Sequence, residues 1–224
     1  MSRILNHFCV LLFFDIIAAE DVYVTTKYGK LVGNRYNISH DWAIDTFLGI
    51  PYGAPPTGSL RWKKSVPVKP WTGVKSAQNA GNICWQSGSD SWFPRTTTFT
   101  QSEDCLNLNV YTPRKTNSSL IPVMVYIHGG AFVRGSGLER IGKQLAIKDV
   151  VVVTLNYRLG PLGFLSTEDQ AAPGNFGLLD QLLALQWVQD CIGGFSGDAG
   201  RVTVFGFSAG AASISLLLTS PLSK

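Results

Sequence analysis

The stretch Arg201-Val202-Thr203-Val204-Phe205-Gly206-Phe207-Ser208-Ala209-Gly210 restricts the fold more than any other part of the chain. Val202 to Phe205 is a compact β-branched and aromatic run suited to a buried strand, and Ala211 to Leu218 is an apolar run that predicts a helix. Gly-x-Ser-x-Gly joins them. Glycines two before and two after Ser208 let the backbone turn so sharply that the serine stands at the strand end, its hydroxyl exposed and a helix N-terminus behind it. The plainer reading makes Ser208 a helix cap between ordinary turn glycines. Strand, turn and helix in that order favour the exposed nucleophile.

A buried strand needs neighbours, and the chain supplies them. Leu106 to Tyr111, Val123 to Ile127 and Val150 to Asn156 are β-branched runs, mostly apolar on both faces, as strands buried between helix layers are. Leu178 to Ile192 carries Leu178, Leu179, Leu182, Leu183, Leu185, Val188 and Ile192 with charges only at Asp180 and Asp190, which predicts a heavily buried helix. Nearer the N-terminus, Val22 to Thr25 and Lys30 to Gly33 flank Lys27-Tyr28-Gly29 and predict an antiparallel hairpin, followed by a strand from Ala43 to Ile50. Pro51-Tyr52-Gly53-Ala54-Pro55-Pro56 forces an irregular turn, and the poorly periodic region up to Glu103 reads as long loops. Strands alternating with helices predict an α/β sandwich, a central, mostly parallel sheet flanked by helices. No repeat and no internal linker divides residues 20–224 into two units.

Of the 224 residues 45% are apolar, enough for a substantial core, and 15% are charged, against about 25% in an average soluble domain. A disordered chain, a coiled coil and a charged tail are excluded on those figures. The net charge of +4 is scattered rather than collected in runs, which argues against nucleic acid as a partner.

Residues 1–19 predict a secretory signal peptide, with Arg3 as the positive end, Phe8 to Phe14 as a short apolar centre and Ala18-Ala19 at the cleavage point. Asp15 interrupts the apolar run well short of the roughly 20 residues that a spanning helix needs, so no membrane anchor is expected in this segment. The expected location is extracellular, or the lumen of the secretory pathway. In an oxidising compartment cysteines are read as potential crosslinks. With Cys9 assigned to the signal, Cys84, Cys105 and Cys191 remain. Cys84 and Cys105 enclose a Ser/Thr-rich stretch with little to order it, and a crosslink there would stabilise by roughly 3 kcal/mol. They are expected to pair, with Cα atoms about 4.4 to 6.8 Å apart. Cys191, at the end of an apolar helical segment, is expected to be a buried thiol without a partner. Asn37-Ile38-Ser39 and Asn117-Ser118-Ser119 are glycosylation sequons that suit the same compartment.

A serine hydroxyl is a poor nucleophile, so an exposed reactive serine requires a place to hold an oxyanion and a base to take its proton. His128-Gly129-Gly130-Ala131-Phe132 follows the strand Val123 to Ile127. Glycines leave backbone N–H groups free, so the amides of Gly129 and Gly130, with that of Ala209, are expected to converge beside Ser208. His128 reads as a packing and orienting residue rather than the base, because it immediately precedes that loop instead of reaching Ser208 from the other side. Such chemistry calls for no metal and no organic cofactor.

Ser102-Glu103-Asp104-Cys105-Leu106-Asn107-Leu108-Asn109-Val110-Tyr111-Thr112-Pro113 and Gly206-Phe207-Ser208-Ala209-Gly210 resemble the signature segments of the type-B carboxylesterase and cholinesterase family, which has the α/β-hydrolase fold. The resemblance continues through Phe47 to Tyr52, Asn156 to Phe164 and Gly174 to Gln181, and so covers essentially everything after the signal peptide. It implies that Cys84 and Cys105 form the family's first disulfide. It also implies structural ion pairs between Arg61 and Glu103 and between Arg158 and Asp180. The activity implied is hydrolysis of a small-molecule carboxylic ester through a serine acyl-enzyme, with Ser208 as nucleophile. A cholinesterase-like adhesion or binding protein of the neuroligin type, or a pseudoenzyme, is the alternative; members of that type generally lack the serine.

The sequence departs from the family pattern in three places. Phe207 stands where most members have Glu, which removes a carboxylate beside the serine and favours an apolar ester over a cationic choline ester. Ser196-Gly197-Asp198 replaces the usual Gly-Gly-Asp. The third departure is the base: α/β-hydrolases run Ser, then Asp or Glu, then His, and here sixteen residues follow Ser208 while His7, His40 and His128 all precede it. The chain therefore reads as the N-terminal part of a longer enzyme, inactive alone, with an open sheet edge and exposed apolar helix faces. Trp85, Trp92 and Phe93, in the loop closed by the disulfide, either line the approach to Ser208 or pack beneath the loop.

Overall fold

A computed structural model describes residues 20–39, 42–87, 99–114, 119–138 and 141–223. The expected signal peptide, His40, Trp92, Phe93 and Asn117 lie outside the described residues. β1 (Glu20–Thr26) and β2 (Gly29–Ser39) form the expected hairpin, with Val24 opposite Leu31 and Thr26 opposite Gly29. Thr26 secures its turn, the hydroxyl donating to the Gly29 carbonyl and accepting from the Tyr28 amide. β3 (Trp42–Pro51) returns antiparallel to β2, and a short β4 (Val74–Ser76) lies parallel to the start of β2. β5 (Ile83–Cys84) and β6 (Gln101–Ser102) make a separate ribbon, closed by the Cys84–Cys105 disulfide with its Cα atoms 5.0 Å apart.

From there strands and helices alternate. β7 (Asn107–Pro113) and β8 (Ile121–Ile127) are followed by α1 (Ile141–Ala146), β9 (Val151–Leu155), α2 (Gly160–Phe164), α3 (Phe176–Cys191), β10 (Gly197–Gly206) and α4 (Ala209–Thr219). The main sheet runs β1-β2-β3-β7-β9-β8-β10, with β4 on β2. The expected mostly parallel sheet is corrected to a mixed one: of the seven pairings among its described strands, four are antiparallel. Connection length accounts for the β1–β2 and β2–β3 reversals only; β3–β7 and β7–β9 are antiparallel across long connections. A parallel pair needs a crossover of about a dozen residues or more, whereas a two-residue turn can only reverse the chain. Only β8, β9 and β10, joined through α1 and through α2 and α3, form the parallel block that carries Ser208.

Every residue of β7 and β9 is buried. Alternate residues serve opposite faces. Val151, Val153 and Leu155 enter the larger core with Ala184, Trp187 and Val188 of α3 and Leu217 of α4, while Val152 joins Ile44, Tyr111 and Ala146 of α1 on the other side. Burial of each such side chain stabilises by about 1.5–3 kcal/mol, so the apolar pattern of these strands selects a sheet covered on both faces. β10 is the last strand in this order, and Leu216, Leu218 and Leu222 beyond it are 50%, 77% and 65% exposed. Cys191 is a buried free thiol, and desolvation pushes its pKa up to about 11.

Candidate active site

β10 ends at Gly206 and α4 begins at Ala209, so Phe207 and Ser208 make the whole turn. Ser208 has φ 52° and ψ −118°, and its side chain makes no capping bond to the helix. A non-glycine residue held there costs on the order of 1–3 kcal/mol and persists only where its surroundings enforce it. Both glycines enforce it by close approach. A Cβ on Gly206 would lie 2.8 Å from the Ile127 carbonyl oxygen, and one on Gly210 would lie 2.0 Å from the same atom. The turn is thus pressed onto the end of β8, and larger residues at either position would hold it away. Ser208 itself is exposed, and the described residues do not enclose it.

β8 and β10 are parallel neighbours with Ile127 opposite Gly206, so residues 128–137 leave the sheet at the same end as Ser208. Gly129 abuts the turn: a Cβ there would lie 2.6 Å from the Phe207 carbonyl oxygen and 3.2 Å from Cβ of Ser208. Among the described residues no acceptor takes the amides of Gly129 and Gly130. Ala209 opens α4, where an amide has no partner within the helix. The loop is conformationally costly, since Ala131 and Phe132 have φ 54° and 61° between Gly130 at 107° and Gly135 at 115°. Each of the two non-glycine residues adds about 1–2 kcal/mol of strain.

His128 is fully buried and stacks on Tyr157, with ring centroids 4.3 Å apart. Its Nδ1 lies 2.8 Å from the Gly129 carbonyl oxygen, which only accepts, so the proton sits on Nδ1. Desolvation pushes its pKa down to about 4, against a weaker opposing effect of that hydrogen bond. At neutral pH the ring is uncharged, and no hydrogen bond joins it to Ser208. Its work is to hold the Gly129 carbonyl.

A carboxylesterase family model matches residues 20–224. The chain belongs to the carboxylesterase family. It is similar to esterase cest-33 of Caenorhabditis elegans, 48% identical over 88% of this chain and 37% of that protein. It is also similar to juvenile hormone esterase of Tribolium castaneum (46% identical, 90% of this chain and 34% of that protein) and to para-nitrobenzyl esterase of Bacillus subtilis (48%, 90% and 41%). The chain thus spans between 34% and 41% of the length of these relatives.

Both ion pairs implied by resemblance to the carboxylesterases are present. Arg61 donates twice to Glu103, at 2.6 and 2.5 Å. Arg158 donates through Nε and Nη2 to Asp180, both at 2.8 Å, and its backbone amide adds a third bond at 3.0 Å. The second pair is buried, with side chains 4% and 0% exposed, so removing one partner would leave an uncompensated charge at a cost of about 3–5 kcal/mol. Arg61, Glu103, Arg158 and Trp85 line a narrow crevice beneath the disulfide. Trp85 is 53% exposed and so does not pack under the loop. Asn37 lies on β2 opposite Ala43.

Sequence reasoning missed the residues that support the glycine loop. Gly137 donates to Asn156 Oδ1 and accepts from Asn109 Nδ2 and the Thr154 hydroxyl. Gln86 binds both backbone polar groups of Gly135. Asn109, Thr154 and Asn156 were visible as polar residues inside otherwise apolar strand runs, and such a residue, once buried, must have a partner. For Gln86, in an irregular loop, the sequence carries no comparable signal.

Proposed function

We infer that this chain forms part of a carboxylic ester hydrolase in which Ser208 attacks the ester carbonyl. The tetrahedral oxyanion is held by the amides of Gly129, Gly130 and Ala209. Its collapse expels the alcohol and leaves an acyl group on Ser208, which water then removes. One observation carries the reading: Ser208 stands in a strained turn, uncapped, with Gly129 against it and uncommitted backbone amides beside it. Preorganised donors of this kind contribute about 10² to 10³ each in rate. No step requires a metal or organic cofactor.

The base that takes the Ser208 proton lies, on this reading, outside the described residues. His128 is disqualified by its burial, its low pKa and its bond to Gly129. The chain's span of 34% to 41% of its relatives' length supports the reading that residues 20–224 are part of a larger catalytic domain and inactive by themselves. Phe207, 62% exposed beside Ser208, presents an apolar ring where a carboxylate would attract cations, so an uncharged apolar ester is the substrate class proposed. Two relatives are named as esterases of juvenile hormone and of a para-nitrobenzyl group, which supports that class. Secretion through a signal at residues 1–19, with glycans on Asn37 and Asn117, is the proposed route; the disulfide suits an oxidising compartment. Among the described residues no helix is long and apolar enough to cross a membrane.

The absence of a usable histidine among the described residues favours one rival, a non-catalytic cholinesterase-like binding protein. The full-length protein to which this chain is inferred to belong, expressed as wild type and as Ser208→Ala, separates the two. Hydrolysis of para-nitrophenyl acetate that disappears in Ser208→Ala, with a fluorophosphonate label recovered on Ser208, is the expected result. Turnover unchanged by Ser208→Ala, or no label on Ser208, would overturn the esterase reading.

A further inference from the structure

The glycine loop has an external clamp. One side chain pairs with the backbone of Gly135: the Gly135 amide donates to Gln86 Oε1 at 2.8 Å, and Gln86 Nε2 donates to the Gly135 carbonyl at 2.9 Å. A single planar amide thus takes both backbone polar groups of one residue. Gln86 is itself fixed. Its Nε2 also reaches the Cys84 carbonyl at 3.0 Å, and its backbone amide donates to Gln101 Oε1 at 2.8 Å, across the ribbon that the disulfide closes.

Gly135 transmits that position inward. At φ 115° it lies so close to the start of the loop that a Cβ would be 2.3 Å from His128 Nδ1 and 2.5 Å from the Gly129 carbonyl oxygen. It therefore backs the His128–Gly129 hydrogen bond. A peptide unit is planar and trans, so the Gly129 carbonyl and the Gly130 amide point in opposite directions. Whatever fixes the carbonyl against His128 also aims the Gly130 N–H away from it.

We propose that Gln86 is a positioning residue for the oxyanion site: through Gly135 it locks the Gly129–Gly130 peptide, and so ties the reactivity of Ser208 to the Cys84–Cys105 loop. This rests on the esterase reading above. Without the clamp, two left-handed non-glycine residues and a glycine are free to relax, and the Gly130 amide loses its aim.

The test uses the full-length protein to which this chain is inferred to belong, expressed recombinantly as wild type and with Gln86→Ala, Gln86→Met and Gln86→Glu. Two quantities are measured: the fraction of chains that a fluorophosphonate labels on Ser208 in one aliquot, and the turnover rate constant of an unlabelled aliquot divided by that fraction. Gln86→Ala and the near-isosteric Gln86→Met should lower the rate constant about 10- to 100-fold, part of the effect of losing one oxyanion donor, while KM for para-nitrophenyl acetate changes less than about twofold. The carboxyl introduced by Gln86→Glu restores the donor only when protonated. Its rate, relative to wild type at each pH, should therefore recover as pH falls from about 8 to about 5, toward the carboxyl range. A smaller labelled fraction with an unchanged rate constant would show a purely structural role and overturn the proposal. Unlabelled wild type would instead overturn the esterase reading, and this inference with it.

Discussion

The turn at Ser208 and the loop at Gly129 meet at the same end of two parallel strands, yet they are held in different ways. The turn is shaped by its own sequence: Gly206 and Gly210 let it touch Ile127, and α4 follows at once. The loop is shaped from a distance, by Gln86, Asn109, Thr154 and Asn156, which lie up to 49 residues away in the chain. The loop should therefore be more sensitive than the turn to loss of distant partners. A locally encoded turn survives loss of a remote partner, whereas a loop carrying two left-handed non-glycine residues depends on every tether.

The largest expected effect tests how firmly the turn is locked. Gly210→Ala places a methyl group 2.0 Å from the Ile127 oxygen, and should cost about 3 kcal/mol or more in a urea titration. A loss below about 1 kcal/mol would mean that α4 slides freely and that the contact does not define the turn.

Acid should strike the loop before the turn. The His128 pKa is depressed from 6.5 to about 4, so the unfolded chain binds the proton that the folded chain refuses. Stability is then fully present above pH 6.5 and falls as pH drops toward 4, by about 3 kcal/mol in all. Urea midpoints at pH 7 and pH 4.5 for wild type and His128→Gln measure this. Equal pH slopes for the two proteins would exclude His128 as the source.

A tether away from the site gives a smaller change. Asn109→Ala removes the donor to Gly137 and the acceptor for the Gly49 amide, both at 3.0 Å. Leaving those groups unpaired should cost about 2 kcal/mol and slow the labelling of Ser208, while the Gly210 contact is untouched. Unchanged labelling would weaken the case that the loop is set from outside. Smallest is Ser208→Gly, which relieves the φ of 52° and should raise stability by about 1 kcal/mol. Destabilisation would show that the serine side chain contributes packing that its exposure does not reveal.

The same contrast decides what was legible in the sequence. Val202 to Gly210, the hairpin around Tyr28, the helix at α3 and the Cys84–Cys105 pair all express short-range rules and form the elements those rules predict. But β10 is half-exposed rather than buried, and Leu178, Leu179, Leu182, Leu183 and Leu185 of α3 are only partly buried. The mixed sheet was not legible, because pairing β7 between β3 and β9 depends on the path of the whole chain. α1 and α2, of six and five residues, are too short to show a period, and α2 contains Pro161 and two glycines. Around the candidate site, the residues near Ser208 were readable and their supports were not. A buried Asn announces that it needs a partner without saying which one.

Cys191 gives the protein an internal clock. With its pKa near 11, the thiol is ionised to about one part in a thousand at pH 8, and an exposed cysteine with its pKa near 9.0 is about 100-fold more reactive from ionisation alone. Cys84 and Cys105 are already joined and offer no competing thiol. The rate at which a small aromatic disulfide modifies Cys191 therefore counts the openings of the end of α3, where the Lys27–Asp190 ion pair holds the first hairpin to the helix.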